Sequence, residues 1–344
     1  MGLETLWFCV IAFLWAGYFV LEGFDFGVGI LLPFVGRDEP DRSVMLETIA
    51  PVWDGNEVWL VVAGGATFAA FPAWYATMFS GFYVALLVVL VLLIVRVVSF
   101  EWRERGGSRW RGLWLWANVA GSIGAPLIWG VALANLVQGV PLDSSGDYAG
   151  GLADLFSPYT VVAGLVTVLL FAMHGATFLE LRTTGALRGR AMDAARRLSL
   201  PTVVLGALFL IWTVVVATDA NHKSAFPAAL VAGLAILAFA AGAVLLARGR
   251  GRPAFAASAA GIALTVATIF TALYPRVMVS SSDFSNSLTT SNASSAHYTL
   301  AVMSVAAVIL TPVVLAYQAW TYYVLRRRLE GAPPAALPPT QPTT

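Results

Sequence analysis

Asp54 and Glu57 stand three residues apart in Ile49-Ala-Pro-Val-Trp-Asp-Gly-Asn-Glu-Val-Trp-Leu60, inside a segment, 44–71, that is otherwise apolar. On a helix that spacing puts both carboxylates on one face. Glu47, seven residues before Asp54, falls close to the same face. Pro51 has no N–H to donate and disturbs the turn before it, and Gly55 is a second weak point. Acids, a proline and a glycine at membrane depth are expensive, and their default meaning is function. The preceding apolar segment carries Leu21-Glu-Gly-Phe-Asp-Phe-Gly-Val-Gly29. Asp25 lies about nine residues, roughly 14 Å at helical rise, from the end where the chain turns back, and Asp54 about ten residues in on the return. Two antiparallel helices therefore bring their carboxylates to one depth, and a polar cluster of Glu22, Asp25, Asp54 and Glu57 is expected. Gly23, Gly27 and Gly29 allow close helix approach.

Three chemistries suit such a cluster. Carboxylates in low dielectric can hand protons along a row. They can hold a cation, helped by carbonyls freed near Pro51. Or they fix packing by pairing with a neighbour. No Lys or Arg is expected at matching depth, so the acids are either titratable or compensated by a partner chain. His174, after Met173, is a lone intramembrane histidine. Adjacent residues diverge on a helix, so the two cannot ligate one iron, and packing or a place in a proton path are its two readings. His222 and His297 lie at or beyond a rim. With a single Cys9 there is no intrachain disulfide and no cysteine metal site. No phosphate loop and no dinucleotide-binding glycine pattern occurs.

The elements that must position these residues are membrane helices. The 344 residues are 59% hydrophobic and 11% charged, with mean hydropathy +0.79, which excludes a soluble domain of this size. Nine apolar runs can cross a bilayer: 5–34, 44–71, 74–98, 112–138, 158–182, 198–218, 225–247, 254–275 and 297–325. All but two of the 20 basic residues lie in alternate connections and the C-terminal stretch; Lys223 and Arg276 alone fall on the other side. The positive-inside rule then places the N-terminus outside and the C-terminus in the cytoplasm. Arg188, Arg190, Arg196, Arg197, Arg248, Arg250 and Arg252 read as topology determinants. Trp7, Trp102, Trp110, Trp114 and Trp320 read as interfacial anchors, and Glu180 with Arg182 as a rim pair. Asn118, Asn135 and Gln138 read as interhelical hydrogen-bond partners. The expected fold is all-α and polytopic: one membrane domain over 1–330, two four-helix bundles plus one peripheral helix, and a disordered cytoplasmic tail over 331–344.

The chain resembles subunit II of the cytochrome bd-type quinol oxidases over nearly its whole length. The resemblance rests on Gly23-Phe-Asp-Phe-Gly-Val-Gly29, the Ile49–Leu60 motif, Phe79-Ser-Gly-Phe-Tyr-Val-Ala85, Leu136-Val-Gln-Gly-Val-Pro141, Gly175-Ala-Thr-Phe-Leu179, Tyr274-Pro-Arg-Val-Met-Val-Ser280 and Ser291-Asn-Ala-Ser-Ser-Ala-His-Tyr-Thr-Leu300. It implies a bacterial cytoplasmic-membrane complex that oxidises quinol and reduces O2 to water. Haems b and d and the quinol site would belong to partner subunit I, with no cofactor or metal on this chain and no catalysis by it alone. Small single-span subunits and membrane lipids are the other expected partners; nucleic acid is not. By the same resemblance Asp54 belongs to a proton-entry route at the subunit interface, with Asp25, Glu57 and Glu22 nearby, and Trp53 and Trp59 flank it and border an O2 path. Two rival readings are a solitary cation-coupled transporter with its site at Pro51–Glu57, and a purely structural support for subunit I.

Overall fold

A computed structural model describes residues 2–103 and 107–330; the tail expected over 331–344 lies outside the described residues. Among the described residues the regular structure is helical apart from one short hairpin, and eight helices are long and apolar enough to cross a membrane.

The first helix, α1 (Leu3–Val35), is the axis of the molecule. Its run from Glu22 to Leu32 is buried on every side, the two carboxylates Glu22 and Asp25 included. It packs against α3 (Trp53–Ala70), α6 (Ser108–Gln138), α7 (Pro158–Arg182) and α10 (Gly251–Leu273). Glycine makes this possible. A Cβ on Gly27 would strike the Phe171 carbonyl and the Gly175 backbone of α7, and one on Gly29 would strike Ser122 of α6.

The segment expected as one span over 44–71 is broken. α2 (Glu39–Ile49) is capped by Asp38, whose side chain accepts from Asp41 N at 2.9 Å, and α2 stops before Pro51. α3 restarts at Trp53, so Glu47 and Asp54 do not share a helix face. The segment over 74–98 is broken too, into α4 (Pro72–Gly81) and α5 (Tyr83–Trp102), at Phe82. The later runs come as α7, α8 (Gly185–Asn221), α9 (Phe226–Ala247), α10 and α11 (His297–Val324). α8 absorbs most of the expected connection 182–197, because polar residues at a rim need not leave a helix to reach water. α7 starts where sequence puts it, with Ser157 and Thr160 exchanging bonds with each other's backbone N–H.

The basic connections meet at one end. Arg190 pairs with Asp41 and donates to the Val35 carbonyl at 2.9 Å. Arg103 pairs with Glu39 at 2.5 Å, Arg196 donates to the Leu246 carbonyl at 3.0 Å, and Leu329 N donates to the Arg182 carbonyl at 2.7 Å. Glu180 takes Arg188 at 2.6 Å rather than the expected Arg182; the first turn of α8 aims Arg188 back at the end of α7. At the opposite end the two long polar connections close on each other: Val140 N donates to Val279 O at 3.0 Å, beside the hairpin of β1 (Arg276–Met278) and β2 (Leu288–Thr289).

α11 is the loosest helix, with Leu300 its one buried residue among those described. Trp7 pins it by donating to Leu300 O at 3.2 Å and Ser304 Oγ at 3.0 Å. Trp7 is therefore a buried clasp, not the anchor expected, because its indole N–H finds a partner inside the protein.

Two predictions follow from these packings. Gly27→Ala or Gly175→Ala forces two backbones apart and should destabilise by about 1–3 kcal/mol, read as a lower Tm of the purified protein. At Glu39, partial burial acts to raise the carboxyl, but the Arg42 and Arg103 guanidiniums outweigh it and hold it below the usual range. A carboxyl lowered in the fold stabilises above its unfolded pKa and loses that effect as pH falls through the folded one. The small Tm gap between wild type and Glu39→Gln should thus be present at neutral pH and close below about pH 4.

Candidate functional site

α1 places Tyr18, Glu22 and Asp25 on one face, four and three residues apart, and all three are fully buried. Opposite them α5 supplies Arg96, also fully buried, whose Nη1 donates to Glu22 Oε1. The expectation that no basic residue lies at this depth is wrong. α5 does not end at Arg96 but runs on to Trp102, so the guanidinium sits nearly two turns inside the helix. It is held there by aromatic faces, its Cζ lying 4.5 Å from the Phe26 centroid and 5.4 Å from that of Phe100. Such cation–π contacts are worth most where water is excluded.

Asp25 has no cation of its own. Its Oδ2 accepts from Asn56 Nδ2 of α3 at 2.7 Å. Asn56 is saturated: Nδ2 also faces Leu21 O at 3.4 Å, and Oδ1 accepts from Tyr322 Oη at 2.6 Å and Gln318 Nε2 at 3.2 Å of α11. Every hydrogen-bonding position of the amide is used, so it orients Asp25 rigidly. A little further along, Asn118 donates to Ser99 Oγ at 2.9 Å, joining α6 to α5 as expected of that amide.

The four expected carboxylates are not all brought together. Glu22 and Asp25 are inside. Glu57 is half-buried and lies within reach of the Arg96 charge. Asp54 is exposed on the outer face of α3, beside Gly55, Val58 and Val61. The inward face of α3 runs instead through Asn56, Trp59, Ala63 and Thr67. The amide suits this place because it donates to Asp25 whatever the pH, whereas an ionised carboxylate there would only repel it. Trp59 turns inward against Gly17, with its ring 5.9 Å from Phe13, while half-buried Trp53 lies 5.8 Å from Phe100. The two tryptophans thus do not share a surface.

Sequence reading missed Tyr18, Asn56, Arg96, Gln318 and Tyr322. Two signals were present: Tyr18 shares the helical register of Glu22 and Asp25, and Arg96 is a lone charge in an apolar run. His174 is fully buried, with Nδ1 2.7 Å from Ser258 Oγ and Nε2 3.1 Å from the Val20 carbonyl, stacked on Phe255 at 4.6 Å. Both ring nitrogens are engaged by α1 and α10, so this histidine does not fit a haem-ligand role. No group of three or more His, Cys, Asp or Glu is arranged to hold a metal ion among the described residues.

Residues 3–325 match the profile of the cytochrome bd terminal oxidase subunit II family. The chain belongs to that family. It is 40% identical over 339 residues to the cytochrome bd ubiquinol oxidase subunit 2 of Bacillus subtilis, covering 97% of this chain and 98% of that one. It is 38% identical over 360 residues to the cytochrome bd-I ubiquinol oxidase subunit 2 of Escherichia coli K12, covering 95% of each. A chain from the structure of bd oxidase from Geobacillus thermodenitrificans shares its fold, with TM-score 0.76 and 21% identity over 94% of this chain and 98% of that one. As a bd oxidase subunit II, the protein is a multi-pass component of a respiratory oxidase complex in the bacterial cytoplasmic membrane, and the solitary-transporter reading is set aside.

The buried pair makes a direct prediction for this subunit. Arg96→Gln strands Glu22 in a dry interior and should cost about 3–5 kcal/mol, whereas removing both charges in Glu22→Gln/Arg96→Gln should cost markedly less. Thermal unfolding of the purified complex checks this. Equal stability of the single and the double variant would show that the ion pair does not govern the packing.

Proposed function

We propose that this subunit feeds protons from its basic, cytoplasmic end toward a haem-bearing subunit I, where quinol is oxidised and O2 reduced to water. The observation that carries the reading is the contrast within α3: Asp54 faces outward from an apolar membrane helix, while Asn56, two residues on, seals Asp25 inside. Asp54 lies in the first turn of α3, so it stands at the basic end of that helix, exposed beside an apolar surface, where a proton can be taken up. A partner chain that covers the exposed apolar faces of α3 and α5 would give Asp54 a polar setting.

The topology that goes with this has nine crossings, α3 being the ninth beside the eight long apolar helices. Its 18 residues span about 27 Å, close to a bilayer core. The N-terminus lies outside and the C-terminus inside, following the asymmetry of basic residues. The helices form two four-helix groups, with α11 peripheral. Haems b and d reside in subunit I; engagement of both His174 nitrogens supports this division.

Asp54 takes up a proton at the interface. Glu57, half-buried and in the field of Arg96, is the next acceptor inward. Glu22 and Asp25 share one guanidinium between two carboxylates, so electroneutrality in a dry interior calls for one proton held by that pair. They serve as a fixed reserve of charge behind the path, and Asn56 keeps Asp25 from swinging out.

Asp54→Asn should leave the assembled complex intact and lower quinol oxidase turnover on the order of 10²-fold, the low end of what a positioned proton-transfer group contributes. Glu57→Gln should lower it less. Turnover is read by O2 consumption, and assembly by co-purification with the haem spectrum of the partner. Full turnover by an assembled Asp54→Asn complex would remove the relay. Loss of assembly with no change in specific turnover would favour the purely structural role.

A further inference from the structure

At the basic end, between the ends of α2, α7, α10 and α11, lies a cavity of about 630 Å³. Arg182, Arg252, Arg326 and Arg328 line it, and no carboxylate does. None of the four is in an ion pair among the described residues; Arg197, Arg248 and Arg250 are unpaired too but do not line the cavity, so convergence on one hollow is what sets the four apart. Arg182 carries a buried Nε with no hydrogen-bond partner among those residues. The arrangement is built rather than incidental. The strand after α11 bridges in parallel to the end of α7, Thr183 opposite Leu329, and so carries Arg328 to the mouth. Arg326 is steadied with its Cζ 3.7 Å from the Tyr323 ring centroid. The floor is apolar and aromatic, formed by Phe178, Leu181, Phe255 and Leu325.

We infer that this cavity binds a phosphate-bearing anion held by the four arginines. Guanidinium forks match phosphate oxygens in pairs, and four cations that converge on one hollow without an acid among them attract an anion to it. The apolar floor beside the charges fits an anionic membrane lipid, phosphate on the arginines and the first carbons of its acyl chains on the floor; a phosphate ion from solution would use the arginines alone. The cavity also touches Tyr322, whose hydroxyl donates to Asn56. An anion there ties the otherwise loose α11 to α7 and α10 and steadies the amide that orients Asp25.

The test uses the complete oxidase complex, stripped of lipid in neutral detergent. It is exposed to vesicles of phosphatidylcholine with or without phosphatidylglycerol, and separately to inorganic phosphate. Bound phosphatidylglycerol is counted by native mass spectrometry, and Tm is measured in each case. Wild type should retain phosphatidylglycerol and rise in Tm, and Arg252→Gln/Arg328→Gln should bind it about fivefold more weakly for each arginine removed. A Tm rise with inorganic phosphate alone, abolished in the double variant, supports the same site filled from solution. Arg252→Lys/Arg328→Lys keeps the charge and covers the case in which the neutral variant does not assemble; it should bind more weakly than wild type but above the neutral pair. Raising ionic strength from about 0.01 M to 1 M, which shortens screening from about 30 Å to 3 Å, should weaken binding to wild type. Equal retention of phosphatidylglycerol by wild type and variants, or no response of wild type to either probe, overturns the inference.

Discussion

The Glu22–Arg96 pair is the constraint around which the inner half of the molecule is arranged. Two full charges taken out of water are tolerable only when they touch and when further favourable contacts surround them. Phe26 and Phe100 supply those contacts by facing the guanidinium. To reach Glu22, α5 must carry Arg96 inside rather than at its end, and α1 must be enclosed on all sides at that level. Enclosure in turn demands that neighbouring backbones come close, and this is what the glycines provide. Gly27 against Gly175 brings α7 to α1, Gly29 against Ser122 brings α6, and Gly121 lets α6 lie on Arg96 and the Leu92 carbonyl of α5. In a membrane, where hydrocarbon is no worse a neighbour than leucine, such close backbone packing and internal polar pairing are what hold helices together.

Much of this could be read from residue order, and the failures have a common cause. Helix α7 begins and ends where hydropathy and its Ser157 cap put it, and the acid-bearing face of α1 follows directly from the spacing of Glu22 and Asp25. The breaks at Pro51 and Phe82 differ in legibility. Proline announces the first, whereas nothing in Ser80-Gly-Phe-Tyr83 announces the second beyond one glycine. The larger error concerns what meets Asp25. Depth can be counted along a chain, but azimuth cannot be settled across a break in the helix. Two carboxylates of α3 at the right depth were therefore credited with a contact that Asn56 makes. Arg96 escapes notice for a similar reason: it lies near the end of the apolar run 74–98, and its partner is 74 residues away in the chain. Long-range pairing of this kind leaves no local signal.

The two sides of α3 then have different meanings. On the inward side the Asn56 amide is satisfied within this chain at every position and orients Asp25. The outward side is incomplete, since Asp54 stands among exposed valines with no counterpart of its own. A solitary transporter would need its ion site enclosed by its own helices, with carbonyls turned toward it. Here the exposed acid has no such enclosure, which agrees with membership of a family of oxidase subunits.

The same physical rule accounts for the opposite surplus at the basic end. Arg42, Arg103, Arg188, Arg190 and Arg196 are each paired with an acid there, which helps hold a rim made of connections together. Those around the cavity beneath α11 are not, although Glu47 on α2 and Glu330 beyond α11 lie near in the chain. Positive charge in excess at that end serves topology whatever its detailed placement, so topology explains the number of arginines but not their convergence on one apolar-floored hollow. Convergence implies a ligand, just as the outward Asp54 implies a neighbour. In each case the uncompensated charge has the sign opposite to what the missing contact must supply.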